Sequence, residues 1–212
     1  MRWSVVLPLL IVGVSLLGCS EDGSSEESDK SGQDLLESEQ NRAGDLERLM
    51  RQLRSCVLAG EDETAISLAK KLFPTQQTLE FACSPENDVE GFRHVSRWIN
   101  SVRPRRNRDY LELYPFRPWQ NEIKVSTLTG AELAAGGDDK PEIDGFHPNV
   151  WKLARSGLLR EEREYYSVDF RKCGDKVGQR YEIFVWDDER LVWKMLGPIW
   201  RALSQQNGEN HK

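Results

Sequence analysis

Chemistry in this chain would have to come from a short roster of side chains. Apart from His211 near the end, its histidines are His94 and His147, and neither stands in a local motif that would pair it with a nucleophilic cysteine. Asp138, Asp139, Asp144 and His147 place four potential ligands in one loop. Their spacing fits neither an oxygen-rich calcium loop nor a tetrahedral zinc set, so a solvated loop is expected and no metal is assigned. There is no Gly-x-Ser-x-Gly, no phosphate-cradling glycine loop and no His-Glu-x-x-His. On these grounds no catalytic residue and no cofactor are assigned. Trp98, Trp151, Trp186, Trp193 and Trp200 fall in segments with helix or strand patterning and are expected in a core. Trp119, in a proline-rich stretch, is the aromatic best placed for an exposed ligand contact, with His147 the second candidate contact.

Arg2 and the terminal amine precede an apolar run, Val5 to Leu17, and Leu16-Leu17-Gly18-Cys19 follows at once. Residues 1–18 therefore read as a removable export signal. The tetrapeptide resembles the bacterial lipobox, in which the cysteine sulfur takes a diacylglyceryl group and the bond before it is cut. The resemblance implies that Cys19 carries the lipid; Leu17 stands where that family usually has a small residue. Ser20 is similar to the residue that follows the cysteine in outer-membrane lipoproteins of double-membrane bacteria. Two or three acyl chains, at about 0.8 kcal/mol per buried CH₂, make a stable anchor. The apolar run is shorter than the roughly 20 residues of a membrane span, and Pro8 interrupts it.

With Cys19 committed to lipid, Cys56, Cys83 and Cys173 remain, an odd number in a compartment that permits disulfides. One bridge and one free thiol is the simplest outcome. Cys56 with Cys83 is the expected pair, Cys83 with Cys173 is the alternative, and three buried thiols remain open.

The formal charge of −6 is concentrated in one place. Residues 20–40 carry eight acids against Lys30, whereas residues 41–212 carry 27 charges of each sign. The acidic stretch, rich in Ser and Gly, buries too little to offset the entropy of ordering. Residues 19–41 thus read as a disordered tether, reaching roughly 25 Å or more from the bilayer. The domain behind it, 42–205, is neutral and lacks the basic face that binding to nucleic acid requires. Residues 206–212 read as a tail.

Within the domain, Leu46, Leu49, Met50, Leu53, Cys56 and Val57 fall on one helical stripe that Gly60 ends. A second helix beginning at Asp62, burying Ile66, Ala69, Leu72 and Phe73 before Pro74 stops it, completes an αα-hairpin. Thr75 caps a short helix to Cys83, and Ser84-Pro85 predicts the start of another running to Val102. Residues 103–119 form a connector with arginines at 103, 105, 106 and 108. Glu122 to Leu128 alternates as a strand, Thr129-Gly-Ala-Glu132 is a capping box, and Pro148 opens a helix to Ala154. Tyr165–Phe170, Arg180–Trp186 and Leu191–Leu196 predict an antiparallel meander. A two-residue loop at Asp188-Glu189 would set Phe184 opposite Trp193 and Ile183 opposite Lys194. Ile199 to Leu203, with Trp200, would fold back on the sheet. The fold class is α+β, with an N-terminal helical hairpin and further helices packed on a C-terminal antiparallel sheet.

Ile123 to Gly137, Lys152-Leu-Ala, Gln179 to Asp187 and Trp193 to Arg201 together resemble a family of uncharacterised exported bacterial proteins, which implies no activity. Where those proteins have a Gly-Gly pair, this chain has Phe146-His147-Pro148-Asn149-Val150. Helices followed by a sheet that ends in a Trp-Asp…Trp-Lys hairpin are also similar to the nuclear-transport-factor-2-like fold. The expected function is a lipid-anchored, extracytoplasmic envelope domain that binds an envelope protein or glycan without catalysis. The alternative is a small-ligand or enzymatic pocket between sheet and helices.

Overall fold

The computed structural model describes residues 27–136, 145–176 and 178–199, with side chains from residue 42 onward. The leader, Cys19, the start of the tether, the Asp138–Asp139–Asp144 loop, Trp200 and the tail lie outside the described residues. Chain contacts separate Met1–Leu36 from Glu37–Lys212, and the architecture below is that of the second unit.

Helix α1 spans Glu27–Ala59, so helical backbone reaches into the segment read as a tether. Straight-chain Glu and Gln cost a helix little, and acids near its N-terminus suit its dipole. Leu46, Met50, Leu53 and Cys56 are buried, as the spacing predicts. Gly60, at φ +75°, ends the helix; its N–H donates to Val57 O and that of Glu61 to Cys56 O, which satisfies two orphan carbonyls. Helix α2 (Asp62–Leu72) returns to complete the hairpin, burying Ala65, Ala69 and Leu72. Ile66 and Phe73, expected inside with Ala69 and Leu72, are only half-buried. Lys194 Nζ caps the far end by donating to Lys71 O (2.7 Å) and Phe73 O (3.2 Å).

Helix α3 (Gln76–Ala82) carries the Thr75 cap. Helix α4 spans Val89–Val102, a later start than Ser84-Pro85 predicts. The Asp88 carboxylate accepts from Gly91 N–H at 2.8 Å, while residues 84–88 close a turn on Ser84 O. A side-chain cap thus outcompetes proline as the start signal. The connector contains a 3₁₀ turn, Asn107–Leu113, and then buries Tyr114 and Phe116 completely or nearly so.

Strands β1 (Glu122–Thr129), β2 (Glu164–Arg171), β3 (Gln179–Asp187) and β4 (Val192–Met195) form one antiparallel meander in the order β1-β2-β3-β4. Helices α5 (Gly130–Ala135) and α6 (Pro148–Arg155) lie between β1 and β2 in sequence. The fold is therefore α+β. Its sheet is covered on both faces: α1, α2 and the connector pack with Tyr166, Val168, Phe170, Tyr181, Phe184 and Trp193, while α3 to α6 pack with Tyr165, Ile183, Val185 and Leu196.

The β3–β4 register corrects the expected hairpin: Phe184 faces Met195, Val185 faces Lys194, and Trp186 faces Trp193. The loop is four residues long. The buried Asp187 carboxylate accepts from Arg190 N (3.0 Å) and Arg190 Nη1 (2.6 Å), and Leu191 takes φ +52°. Because the slip is two residues, every side chain keeps its face.

Candidate functional site

Where β1 ends, β2 begins and β3 passes into its turn, the sheet edge opens into a half-open cleft of about 270 Å³. Antiparallel pairing of Thr129 with Glu164 brings those strand ends together. The sequence 162–164 alternates charge as the chain enters β2, and Arg42 reaches over from α1. Asp188 bridges both guanidiniums, with Oδ1 2.9 Å from Arg42 Nη2 and Oδ2 3.8 Å from Arg163 Nη1. Arg42 Nη1 lies 3.3 Å from Glu164 Oε2, which also accepts from Tyr166 Oη at 2.6 Å. These pairs are a quarter to a half exposed, so each is worth about 0–1 kcal/mol to stability; what they contribute is a fixed geometry.

Aromatic groups line the same cleft. The Arg163 guanidinium sits 3.8 Å from the Phe81 ring centroid. Tyr166 meets Trp193 edge-on at 4.8 Å, and Trp193 lies 5.3 Å from the half-buried Trp186. The cleft thus sets the half-buried rings of Phe81 and Trp186 among donors and acceptors held in place, on a lining more polar than that of most small-ligand pockets.

A second group lies under the start of α6. Between Tyr166–Phe184 and Val168–Tyr181 the β2–β3 pairing shifts, with an extra residue in β3. Ile183 absorbs the irregularity at φ +58°, a conformation that costs a β-branched residue about 1–3 kcal/mol. The bulge keeps Tyr181 and Phe184 on one face while Ile183 joins the other core. Glu182, 6% exposed, accepts the backbone N–H of His147. Burial pushes its carboxyl up to about 7, with nearby Asp169 adding to the rise, while that hydrogen bond and Arg180 oppose it. Asp169 is itself 3% exposed; one oxygen pairs with Arg171 at 2.8 Å, and Oδ1 has no hydrogen-bond partner among the described residues.

The residues singled out from sequence fall in separate places. His147 is the N-cap of α6, its Nδ1 accepting from Asn149 N–H; burial, then Arg180 and Lys152, hold its imidazole below the ordinary value. Trp119 is 52% exposed on a turn tied to α1 through Arg54 Nη2 and Pro118 O (2.9 Å). Cys56 and Cys83 do not form the expected bridge. Both are buried free thiols in different apolar clusters, one on each side of the sheet, and Cys173 is exposed. His94 lies 3.9 Å from Glu90 on α4. The connector arginines are exposed, with Arg106 paired to Asp109 at 2.9 Å. Among the described residues no three His, Cys, Asp or Glu converge as metal ligands, and no helix is long and apolar enough to cross a membrane.

Neither the cleft residues nor Glu182 stand out by type in the sequence. The one available signal for Glu182 is an acid within Tyr181-Glu-Ile-Phe-Val185, a strand otherwise apolar on both faces. Compared with family models, with curated proteins and with solved structures, the chain finds no match.

Proposed function

We propose that this is a lipid-anchored cell-envelope protein, held through Cys19 on the extracytoplasmic side of a membrane, whose domain acts by binding in the Arg42–Asp188 cleft. In a double-membrane bacterium the residue after Cys19 favours the outer membrane. The observation that carries the reading is the cleft itself: aromatic rings and paired charges pre-positioned around about 270 Å³ at the sheet edge. Ligand contacts made by groups already fixed lose little conformational entropy on binding. An envelope protein or glycan, rather than nucleic acid, is the partner class that address and charge support. Mass spectrometry of the protein purified from membranes should find a diacylated Cys19 as the first residue; an intact Met1 would remove the anchor. Hydrogen exchange of the full chain should slow at residues 162–166 and 186–190 when envelope extract is added, and Arg163→Ala should abolish the effect. Unchanged exchange at these residues would remove the binding reading.

One observation favours a second reading, an enzymatic or small-ligand pocket on the α6 side. Glu182, poised near 7 beside His147 and a strained Ile183, has the properties of a proton-transfer group. A turnover activity lost in Glu182→Gln and retained in Arg163→Ala would favour it over binding in the cleft.

A further inference from the structure

We propose, resting on the binding reading above, that the cleft takes a neutral sugar, one pyranose ring of an oligosaccharide lying against Trp186 with its hydroxyls on the Arg42–Asp188–Arg163 bridge. Charge balance comes first. Among the described residues two guanidiniums face three carboxylates, and Arg42, Arg163, Glu164 and Asp188 are already paired among themselves. The third carboxylate, Glu162, is 66% exposed and 3.9 Å from Arg160, outside that network. A phosphate or sulfate would have to take Arg42 from its hydrogen bond to Asp188 and then lie against both Asp188 and Glu164. An ammonium group would have to compete with two guanidiniums for the same carboxylates. Each exchange gives up charge-assisted bonds to make equivalent ones. An uncharged ligand whose groups both donate and accept can add to the network without breaking it.

Vicinal hydroxyls have that property, since one O–H can donate to a carboxylate oxygen while accepting from a neighbouring guanidinium. A pyranose also presents an apolar C–H face, and the half-buried Trp186, braced by Trp193, offers the platform for it. Size agrees. The cleft is slightly below the roughly 300–1,000 Å³ of drug-sized sites. It suits one ring, with the remainder of the chain leaving through the open side. Few contacts of this kind give an affinity in the millimolar range for a short oligosaccharide.

The test uses the full lipidated chain in a detergent without a sugar headgroup, titrated with chitotriose, cellotriose and maltotriose while tryptophan fluorescence and heat are recorded. At least one should bind saturably, and Trp186→Phe and Asp188→Asn should each weaken it by about tenfold or more. Asp188 is 48% exposed, so its variant probes the bridge without opening the core, and thermal unfolding confirms that both variants fold. Inorganic phosphate and free lysine should not compete. The proposal is overturned if none of the three sugars binds, if both variants bind within twofold of the unaltered chain, or if phosphate displaces the sugar. Exchange protection by envelope extract, with all three sugars failing, would remove the sugar and leave the binding domain; loss of both would remove both.

Discussion

Replacing Glu182 by Gln keeps the length of the side chain and an oxygen to accept the His147 N–H, but removes the titrating proton. Glu182 is buried, and its carboxyl rises from an ordinary 4.5 to about 7 chiefly because burial disfavours the charged form. The folded state therefore holds a proton over a range in which the unfolded chain has released it, so this group's contribution to stability falls as pH rises between those values. At about 1.4 kcal/mol per pH unit, that corresponds to about 3 kcal/mol lost between pH ~4.5 and pH ~7. His147 works in the opposite sense. Its lowered value means that stability is lost as pH falls through the histidine range, with a smaller effect because burial of the ring is only partial. Comparing Glu182→Gln with the unaltered chain at each pH separates the Glu182 contribution from that of His147. Urea unfolding at pH 5, 6, 7 and 8 should show a gap that widens with pH, the variant being more stable by about 1–3 kcal/mol at pH 8. Parallel pH profiles for the two proteins would refute the assignment of a buried, proton-holding carboxyl to this bulge.

Leu53→Ala removes a fully buried side chain between α1 and the sheet and should cost about 2–5 kcal/mol in urea unfolding; a loss below about 1 kcal/mol would mean that α1 does not pack there. Thr129→Ala deletes the hydroxyl arm of a capping box, in which Thr129 Oγ1 accepts from Glu132 N–H and donates to Glu132 Oε2, but leaves the Thr129 N–H bonded to Glu132 Oε2, and should cost about 1 kcal/mol in urea unfolding. A thiol reagent should label the exposed Cys173 in the native protein but not Cys83, whose thiol is pushed up to about 12 by burial, until the chain is unfolded. Equal labelling rates for the two would contradict the buried position of Cys83.

Much of the fold was legible because periodicity survives without tertiary information. Leu46, Met50, Leu53 and Cys56 share a stripe at any helix orientation, and the Thr129–Glu132 box operates within one turn. The errors lie where two local signals competed or a contact was distant. Asp88 displaced Ser84-Pro85 as the start of α4, and the buried Asp187 lengthened a hairpin loop from two residues to four. Tyr114 and Phe116 looked like connector residues, yet they pack at a tilt against Tyr181 in the core, with ring centroids 5.6 and 5.3 Å from it. The candidate site was harder still. Its cleft joins Arg42, Phe81, Arg163 and Asp188 from four separate parts of the chain, with no spacing to detect.

Taken alone, the sequence determined the alternation of helix and strand, the neutral charge of the domain and the expectation of a lipidated Cys19, because each depends on neighbours within a few residues. Tertiary structure decided which acids are buried, which arginines share a carboxylate and that Cys56 and Cys83 lie on opposite sides of a sheet. Burial and pairing are set by the approach of segments distant in sequence, and local pattern carries no record of that approach.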